Sequence, residues 1–182
     1  TGNIMIRYEK AIKDRKPELC IVVGDVTSTM ACAITAKKEW IKVAHVEGGI
    51  RSGDEMMPEE INRMVTDSIS DYFFTTSTLA NENLKGLGHR EEKIFFVGNT
   101  MIDSLLGNMN KMSPPILWKE ENLIKGNYLV MTLHRPSNVD GYENLRQLLS
   151  LINDNVGERK VIFPMHPRTK KMFDQLDIRF DK

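Results

Sequence analysis

Short apolar runs alternate with segments of helical pattern along the whole chain, and this alternation limits the possible folds most. Residues 4–18 are amphipathic at helical spacing, and residues 19–25, LCIVVGD, form a short apolar run that ends in Gly-Asp. Further strands are predicted at residues 40–47, 72–76 and 94–98, and helices at residues 28–39, 58–70, 78–85 and 101–109. Because helices separate the strands, the pattern predicts an α/β protein with parallel sheets and right-handed crossovers.

The composition changes after residue 109, where Ser113-Pro114-Pro115 and scattered charges replace the alternation. A second series follows, with strands predicted at residues 128–133 and 160–165 and helices at residues 143–153 and 168–173. We therefore expect two Rossmann-like units, over residues 1–110 and 128–182, and an interdomain connection over residues 111–127 with a short helix near Trp118. Both units are expected to be incomplete, because the chain begins directly in a helical pattern and stops without a closing strand or helix.

The composition excludes several broad classes of protein. The chain has 182 residues, 41% hydrophobic and 27% charged, with a formal net charge of zero, so it offers no general attraction to nucleic acid or an anionic membrane. No apolar run approaches the roughly 20 residues that cross a bilayer, and no signal peptide pattern is found. Cys20 and Cys32 lie in apolar runs, which favours free thiols in a cytoplasmic protein over a disulfide framework.

Polar residues fall at or just past the ends of predicted strands in both series. In parallel sheets, the loops at these carboxyl ends line the ligand crevice, so the side chains are expected to surround a site. The set is Asp25, Glu47, Asn99, His134 and His166.

Two of these residues are carboxylates with competing interpretations. Asp25 either caps the following helix or presents a carboxylate to the crevice. Glu47 either is solvated or lies at a buried strand end, where burial raises a carboxyl pKa and suits a general acid. His45 precedes Glu47 by two residues and points to the same side of the strand, so we interpret it as a supporting group rather than a catalytic one.

Residues 58–63, PEEINR, read as a helix start with proline in its first position. The negative charges of Glu59 and Glu60 interact favourably with the helix dipole there, and this interaction can be the whole role of one of the two. Glu59 and Arg63 are four residues apart and can pair on one face, either as a plain exposed ion pair or beside a flexible active-site loop.

The second unit offers cationic groups in place of carboxylates. His134 and Arg135 end its first predicted strand and suit a phosphate or diphosphate, although a hydrogen-bonded histidine beside a surface arginine is the alternative. His166-Pro167-Arg168 repeats the arrangement one strand later. The histidines lack the spacing of metal ligands, and no GxGxxG or Walker loop is present, so no metal or cofactor is expected.

Six motifs lie in order between about Cys20 and Lys171: GDVTST, HVEGGIRSGDEMMPEEINRMVTDSISDYFFTTS, ANENL, VGNTMIDSL, TLHRPSNVD and FPMHPRTKK. Together they resemble one family, the non-hydrolysing UDP-N-acetylglucosamine 2-epimerases. Gly48 stands where this family often has alanine, and Pro136-Ser137-Asn138 differs from the common tripeptides at that place.

The resemblance implies a GT-B-like fold with the active site between two domains, in a cytoplasmic homodimer that binds a UDP-sugar and serves cell-surface polysaccharide synthesis. By motif match, Asp25, Glu47 and Glu59 fall on the catalytic carboxylates of the family. His134 falls on a histidine implicated in catalysis and, with Arg135, in binding near the diphosphate. Family members are longer at both ends, so the chain is expected to be a central piece of such a protein.

The reaction implied is the interconversion of UDP-N-acetylglucosamine (UDP-GlcNAc) and UDP-N-acetylmannosamine (UDP-ManNAc) at C2. No carbonyl acidifies the C2–H bond, so the sensible route breaks the C1–O bond and passes through a 2-acetamidoglucal plus UDP. The alternatives left open are a catalytically silent nucleotide-sugar-binding fragment, a GT-B glycosyltransferase, and a hydrolysing relative that releases the free sugar.

Overall fold

The computed structural model describes residues 1–133, 136–139 and 141–176. The chain divides into two compact units, Thr1–Asn110 and Lys111–Lys182. Both contain parallel strands joined through helices, which confirms the α/β class. The interdomain connection over residues 111–127 stays a prediction.

The first unit contains a four-stranded parallel sheet in the order β1-β2-β3-β4. Its strands are β1 Leu19–Val23, β2 Lys42–Val46, β3 Tyr72–Thr75 and β4 Ile94–Phe96. Its helices are α1 Gly2–Arg15, α2 Thr27–Lys38, α3 Pro58–Ile69, α4 Thr78–Gly86 and α5 Thr100–Asn108, with short 3-10 turns at Glu91–Lys93 and Met109–Lys111. Every predicted strand of this unit is present but one to three residues shorter.

One face of this sheet carries the core of the unit. Cys20 and Val22 of β1 pack with Val43 of β2 beneath α1 and α2. Ala33 and Ala36 of α2 are fully buried there, since their small side chains let the helix lie close to the strands. The same face carries His45, which stands opposite Val22 and Phe73 in the register of the sheet, so a histidine continues an apolar row.

The second unit has two parallel strands, β5 Tyr128–Val130 and β6 Lys160–Ile162, paired with Leu129 opposite Val161. Its helices are α6 Leu117–Glu120, α7 Pro136–Val139, α8 Tyr142–Val156 and α9 Pro167–Leu176. Its core cluster is Val139, Leu145, Leu149 and Phe173.

The predicted short helix near Trp118 is present as α6, whereas α7 was not predicted. Helix α7 begins at Pro136, and proline suits the first position of a helix because its missing N–H needs no partner there. None of the described helices is long and apolar enough to span a bilayer.

Candidate active site

Asp25 lies in the turn that follows β1, where helix α3 holds it. Its carboxylate accepts a hydrogen bond from Nη2 of Arg63, and its backbone carbonyl accepts one from Nδ2 of Asn62 at 2.7 Å. Val26 is the residue before helix α2, and that helix end has no side-chain cap. Asp25 therefore does not cap the helix, and its carboxylate faces α3 while staying partly exposed.

Glu47 follows β2 in a left-handed backbone conformation with φ 69°, which residues other than glycine rarely adopt. Its N–H still donates to the carbonyl of Phe74 at 2.8 Å, so β3 holds the turn in place. A Cβ atom built on Gly24 would lie 3.5 Å from Oε2 of Glu47. The Glu47 carboxylate thus lies over Gly24, the residue directly before Asp25.

Glu59 lies in the first turn of α3 and is half-buried. It precedes Asn62 and Arg63 by three and four residues, so it shares a helix face with both groups that bond Asp25. Its side chain has no hydrogen bond or ion pair within the described residues. The predicted pairing of Glu59 with Arg63 is wrong, because Arg63 bonds Asp25 and Glu60 instead.

Glu60 is the buried glutamate of the pair, only 2% exposed. Its Oε2 accepts the N–H of Ser52 at 2.9 Å, the Ser52 hydroxyl at 3.0 Å and Nη1 of Arg63 at 3.0 Å. Burial raises the pKa of Glu60, but these donors together outweigh burial and hold that pKa below its ordinary value. Glu60 therefore anchors the loop before α3, a larger role than the helix dipole.

A buried network around His45 contains two residues, Arg51 and Asp67, that the sequence pattern does not single out. His45 makes no hydrogen bond to Glu47; its ring contacts the carbonyl of Gly24 and the carboxylate of Asp67. Asp67 also accepts hydrogen bonds from the Gly49 N–H and from Arg51. The only sequence signal for Asp67 was an acidic residue on the buried face of an amphipathic helix.

The remaining predicted site residues follow strands other than β1 and β2 in the sequence. His134 and Arg135 lie outside the described residues. His166 is exposed, and its Nδ1 accepts the N–H of Arg168 at 3.2 Å, which shapes the start of α9. Asn99 of the first unit caps α5 by accepting the N–H of Met101 at 2.9 Å. Among the described residues, no group of histidine, cysteine or acidic side chains is arranged to hold a metal ion.

A family model described as UDP-N-acetylglucosamine 2-epimerase matches residues 1–181. The chain belongs to this family. The UDP-N-acetylglucosamine 2-epimerase of Methanocaldococcus jannaschii is 41% identical over 100% of this chain and 51% of the relative. The UDP-2,3-diacetamido-2,3-dideoxy-D-glucuronate 2-epimerase of Pseudomonas aeruginosa is 34% identical over 100% of this chain and 51% of that protein.

The solved structures agree with the family assignment. The M. jannaschii UDP-GlcNAc 2-epimerase in complex with UDP-GlcNAc and UDP superposes with a TM-score of 0.82 at 40% identity, covering 97% of this chain and 49% of that one. The predicted resemblance to the GT-B fold of these enzymes is thereby confirmed. The chain spans about half the length of the curated relatives it matches.

Proposed function

We propose that this chain supplies the carboxylates of a UDP-sugar 2-epimerase, which interconverts UDP-GlcNAc and UDP-ManNAc. The observation that carries the proposal is that Asp25 and Glu47 lie in the turns at the carboxyl ends of β1 and β2, and that Arg63 of α3, four residues after Glu59, bonds Asp25. Arg63 fixes Asp25, Gly24 lies beneath Glu47, and Glu59 stands on the helix face of Arg63. Loops at this edge of a parallel sheet form the ligand crevice.

The reaction needs groups that move one proton between the two faces of the sugar ring. A carboxylate takes the C2 proton, the C2–H electron pair becomes the C1=C2 double bond, and the C1–O electron pair leaves with UDP. An acid on the opposite face then delivers a proton to C2, and UDP adds back to C1. Three carboxylates are enough for a base, an acid and a group that assists the departing oxygen.

The carboxylates of Asp25, Glu47 and Glu59 differ in how firmly they are held, which suggests different catalytic roles. The ion pair with Arg63 fixes the direction of the Asp25 carboxylate. Glu59 has no such partner within the described residues, so its oxygens are available to the substrate. We propose that all three share the proton work, while His134 and Arg135 stabilise charge on the diphosphate, as the family resemblance implies.

The sugar specificity is proposed at the level of a 2-acetamido UDP-sugar. The P. aeruginosa relative is named for a diacetamido uronate substrate, whereas the M. jannaschii relative is named for UDP-GlcNAc. The greater identity of the latter favours UDP-GlcNAc.

Incorporation of solvent deuterium at C2 of UDP-GlcNAc, followed by proton NMR, tests the proposal. The natural protein that carries this sequence is expected to label C2. Each of Asp25→Asn, Glu47→Gln and Glu59→Gln should slow labelling by about 10²–10⁴-fold. Glu55→Gln is the matched control, because Glu55 is an exposed glutamate of the preceding loop.

The same assay separates the alternatives. Near-normal labelling by Glu47→Gln would reject the role of that residue. Calorimetry that detects UDP binding without any labelling at C2 would reject the epimerase and favour a nucleotide-sugar-binding protein. Release of UDP that depends on an added acceptor would favour a glycosyltransferase.

A further inference from the structure

His45 is fully buried, and both nitrogens of its ring are in hydrogen-bond contact. Nε2 lies 2.8 Å from the carbonyl oxygen of Gly24, and Nδ1 lies 2.6 Å from Oδ1 of Asp67. A carbonyl oxygen can only accept a hydrogen bond, so Nε2 has to carry a hydrogen.

The surroundings of Asp67 decide the state of the other nitrogen. Oδ2 of Asp67 accepts the N–H of Gly49 at 3.0 Å and Nη1 of Arg51 at 2.6 Å. A fully buried carboxyl group that faces a guanidinium and an N–H donor is in its acceptor-only, ionised form. Nδ1 of His45 therefore donates as well, and a ring that donates through both nitrogens is an imidazolium.

This charged pair ties together the segments that carry the proposed catalytic groups. Gly24, whose carbonyl His45 holds, directly precedes Asp25. Gly49, whose N–H Asp67 holds, follows Glu47 by two residues. A Cβ atom built on the intervening Gly48 would lie 3.2 Å from Oδ1 of Asp67 and 3.4 Å from Nδ1 of His45, so the loop backbone rests directly on the pair.

We propose that His45, as an imidazolium, and Asp67 are positioning residues that fix the turns of Asp25 and Glu47 relative to each other. The inference rests on the proposed function, because the positioning matters only if these carboxylates act on one substrate. Neither His45 nor Asp67 is expected to touch the sugar, since both side chains are fully buried.

A positioning role is favoured because a buried network of charged groups adds little to the stability of the fold. Three charged groups, His45, Asp67 and Arg51, lose hydration at one place, and a well-packed apolar replacement of a buried ion pair is often as stable or more so. Catalytic groups, in contrast, have to be held within about 0.5 Å of their working geometry, and directional hydrogen bonds provide this.

Two amide substitutions separate the two contacts of the ring. His45→Gln can place a donor near the position of Nε2 and keep the bond to Gly24, whereas His45→Asn can place one near Nδ1 and keep the bond to Asp67. Neither keeps both, so each should lower kcat for deuterium labelling at C2 by about 10- to 100-fold, with KM for UDP-GlcNAc changed by less than about threefold.

Val43→Ala is the matched control for general destabilisation. Val43 lies on the same strand and the same face as His45 and is fully buried, but it has no polar side-chain contact. It should lose stability while keeping kcat within about threefold of the starting protein. An unchanged kcat in both His45 variants, or an equal loss of kcat in Val43→Ala, would overturn the positioning role.

Nitrogen-15 NMR of histidine-labelled protein tests the charged pair without any reaction. The chain has four histidines, and the resonances missing from His45→Gln identify His45. Both ring nitrogens of His45 are expected to be protonated, and Asp67→Asn should give a neutral ring. A neutral ring in the unsubstituted protein would overturn the proposal. Absence of C2 labelling by the unsubstituted protein would instead reject the proposed function, and the nitrogen spectrum would still decide the state of His45.

Discussion

The two units of this chain bury different kinds of side chain. The first unit buries polar and charged side chains, many of them in β2, β3 and α3, whereas Thr169 is the buried polar residue among those described in the second unit. The polar set of the first unit includes His45, Glu60, Asn62, Thr66, Asp67 and Thr75. The difference indicates that hydrogen bonds, in addition to packing, fix the positions of side chains and turns in the first unit.

Burying polar groups is costly unless each of them has a partner. In the first unit several of the partners are backbone groups of turns, such as the Gly24 carbonyl and the Ser52 N–H, so satisfying these side chains also fixes the turns. In the second unit Thr169 bonds the carbonyl of Leu133, and apolar contacts around Leu145 make up the rest of the core. Stability should therefore depend on hydrogen bonds and close backbone contacts in the first unit, and on filled volume in the second.

The largest effect on stability is expected from Gly49→Ala. Gly49 has φ 81°, and an added Cβ would lie 2.4 Å from the carbonyl oxygen of Ala80, in the backbone of α4. The substitution should lower the free energy of unfolding by roughly 3–5 kcal/mol, because backbone has to move. Hydrogen exchange measured by mass spectrometry should show lost protection in the first unit only.

Gly53→Ala is the control for this prediction. Gly53 has a similar φ of 73°, but an added Cβ would meet nothing within 4 Å. It should cost only roughly 1–2 kcal/mol, the price of a left-handed alanine. Equal losses in the two variants would mean that backbone conformation, and not the contact with α4, makes Gly49 necessary.

Leu145→Ala should have the next largest effect, and in the other unit. Leu145 is fully buried against Val139, Leu149 and Phe173, so truncation should cost roughly 2–5 kcal/mol through lost burial and the cavity left behind. Hydrogen exchange should increase across α8 and α9 while the first unit keeps its protection. Leu151→Ala on the exposed side of the same helix should be nearly neutral. Lost protection in the first unit as well would show that the two units do not unfold separately.

Much of the fold could be predicted from the sequence, because periodicity is a local property. Alternating apolar runs located every strand, and the positions of Asp25 and Glu47 directly after two of them predicted that both would reach one edge of the sheet. The strand ends were less accurate. The prediction extended β1 to Asp25, but the left-handed turn at Gly24 ends the ladder at Val23.

The partners of these residues could not be read in the same way, since they depend on contacts distant in sequence. Helical spacing makes Glu59 a possible partner of Arg63, but Arg63 bonds Asp25, which is 38 residues away in the sequence. No sequence pattern links Asp67 to His45, 22 residues away, and it is the packing of α3 beside β2 that brings the two side chains together. Local spacing identifies possible pairs, and tertiary packing selects among them.

Glu60→Gln should have a moderate effect that depends on pH. It replaces a carboxylate that accepts hydrogen bonds from Ser52 and Arg63, so a loss of roughly 1–3 kcal/mol is expected at neutral pH. The pKa of Glu60 is lower in the folded protein than its ordinary value of 4.5. Its contribution is therefore complete above that value and declines as pH falls through the folded pKa.

Urea unfolding at several pH values tests this sign. The difference in unfolding free energy between the unsubstituted protein and Glu60→Gln should be constant from neutral pH down to about 5 and shrink below the ordinary value of 4.5. A difference that grows on acidification would contradict the ionised, hydrogen-bonded state of Glu60.

The smallest effect on stability is expected from Glu59→Gln, one residue away on the same helix. Within the described residues the Glu59 carboxylate has no hydrogen bond or ion pair, so the free energy of unfolding should change by no more than about 0.5 kcal/mol. Deuterium labelling at C2 should nevertheless slow by about 10²–10⁴-fold. The two neighbouring glutamates would then have different roles, since Glu60 holds the loop before α3 and Glu59 acts on the substrate. A carboxylate without a hydrogen-bond partner in the folded protein has no bond to lose on substitution. A Glu59→Gln protein that loses as much stability as Glu60→Gln would therefore show that Glu59 is a structural anchor.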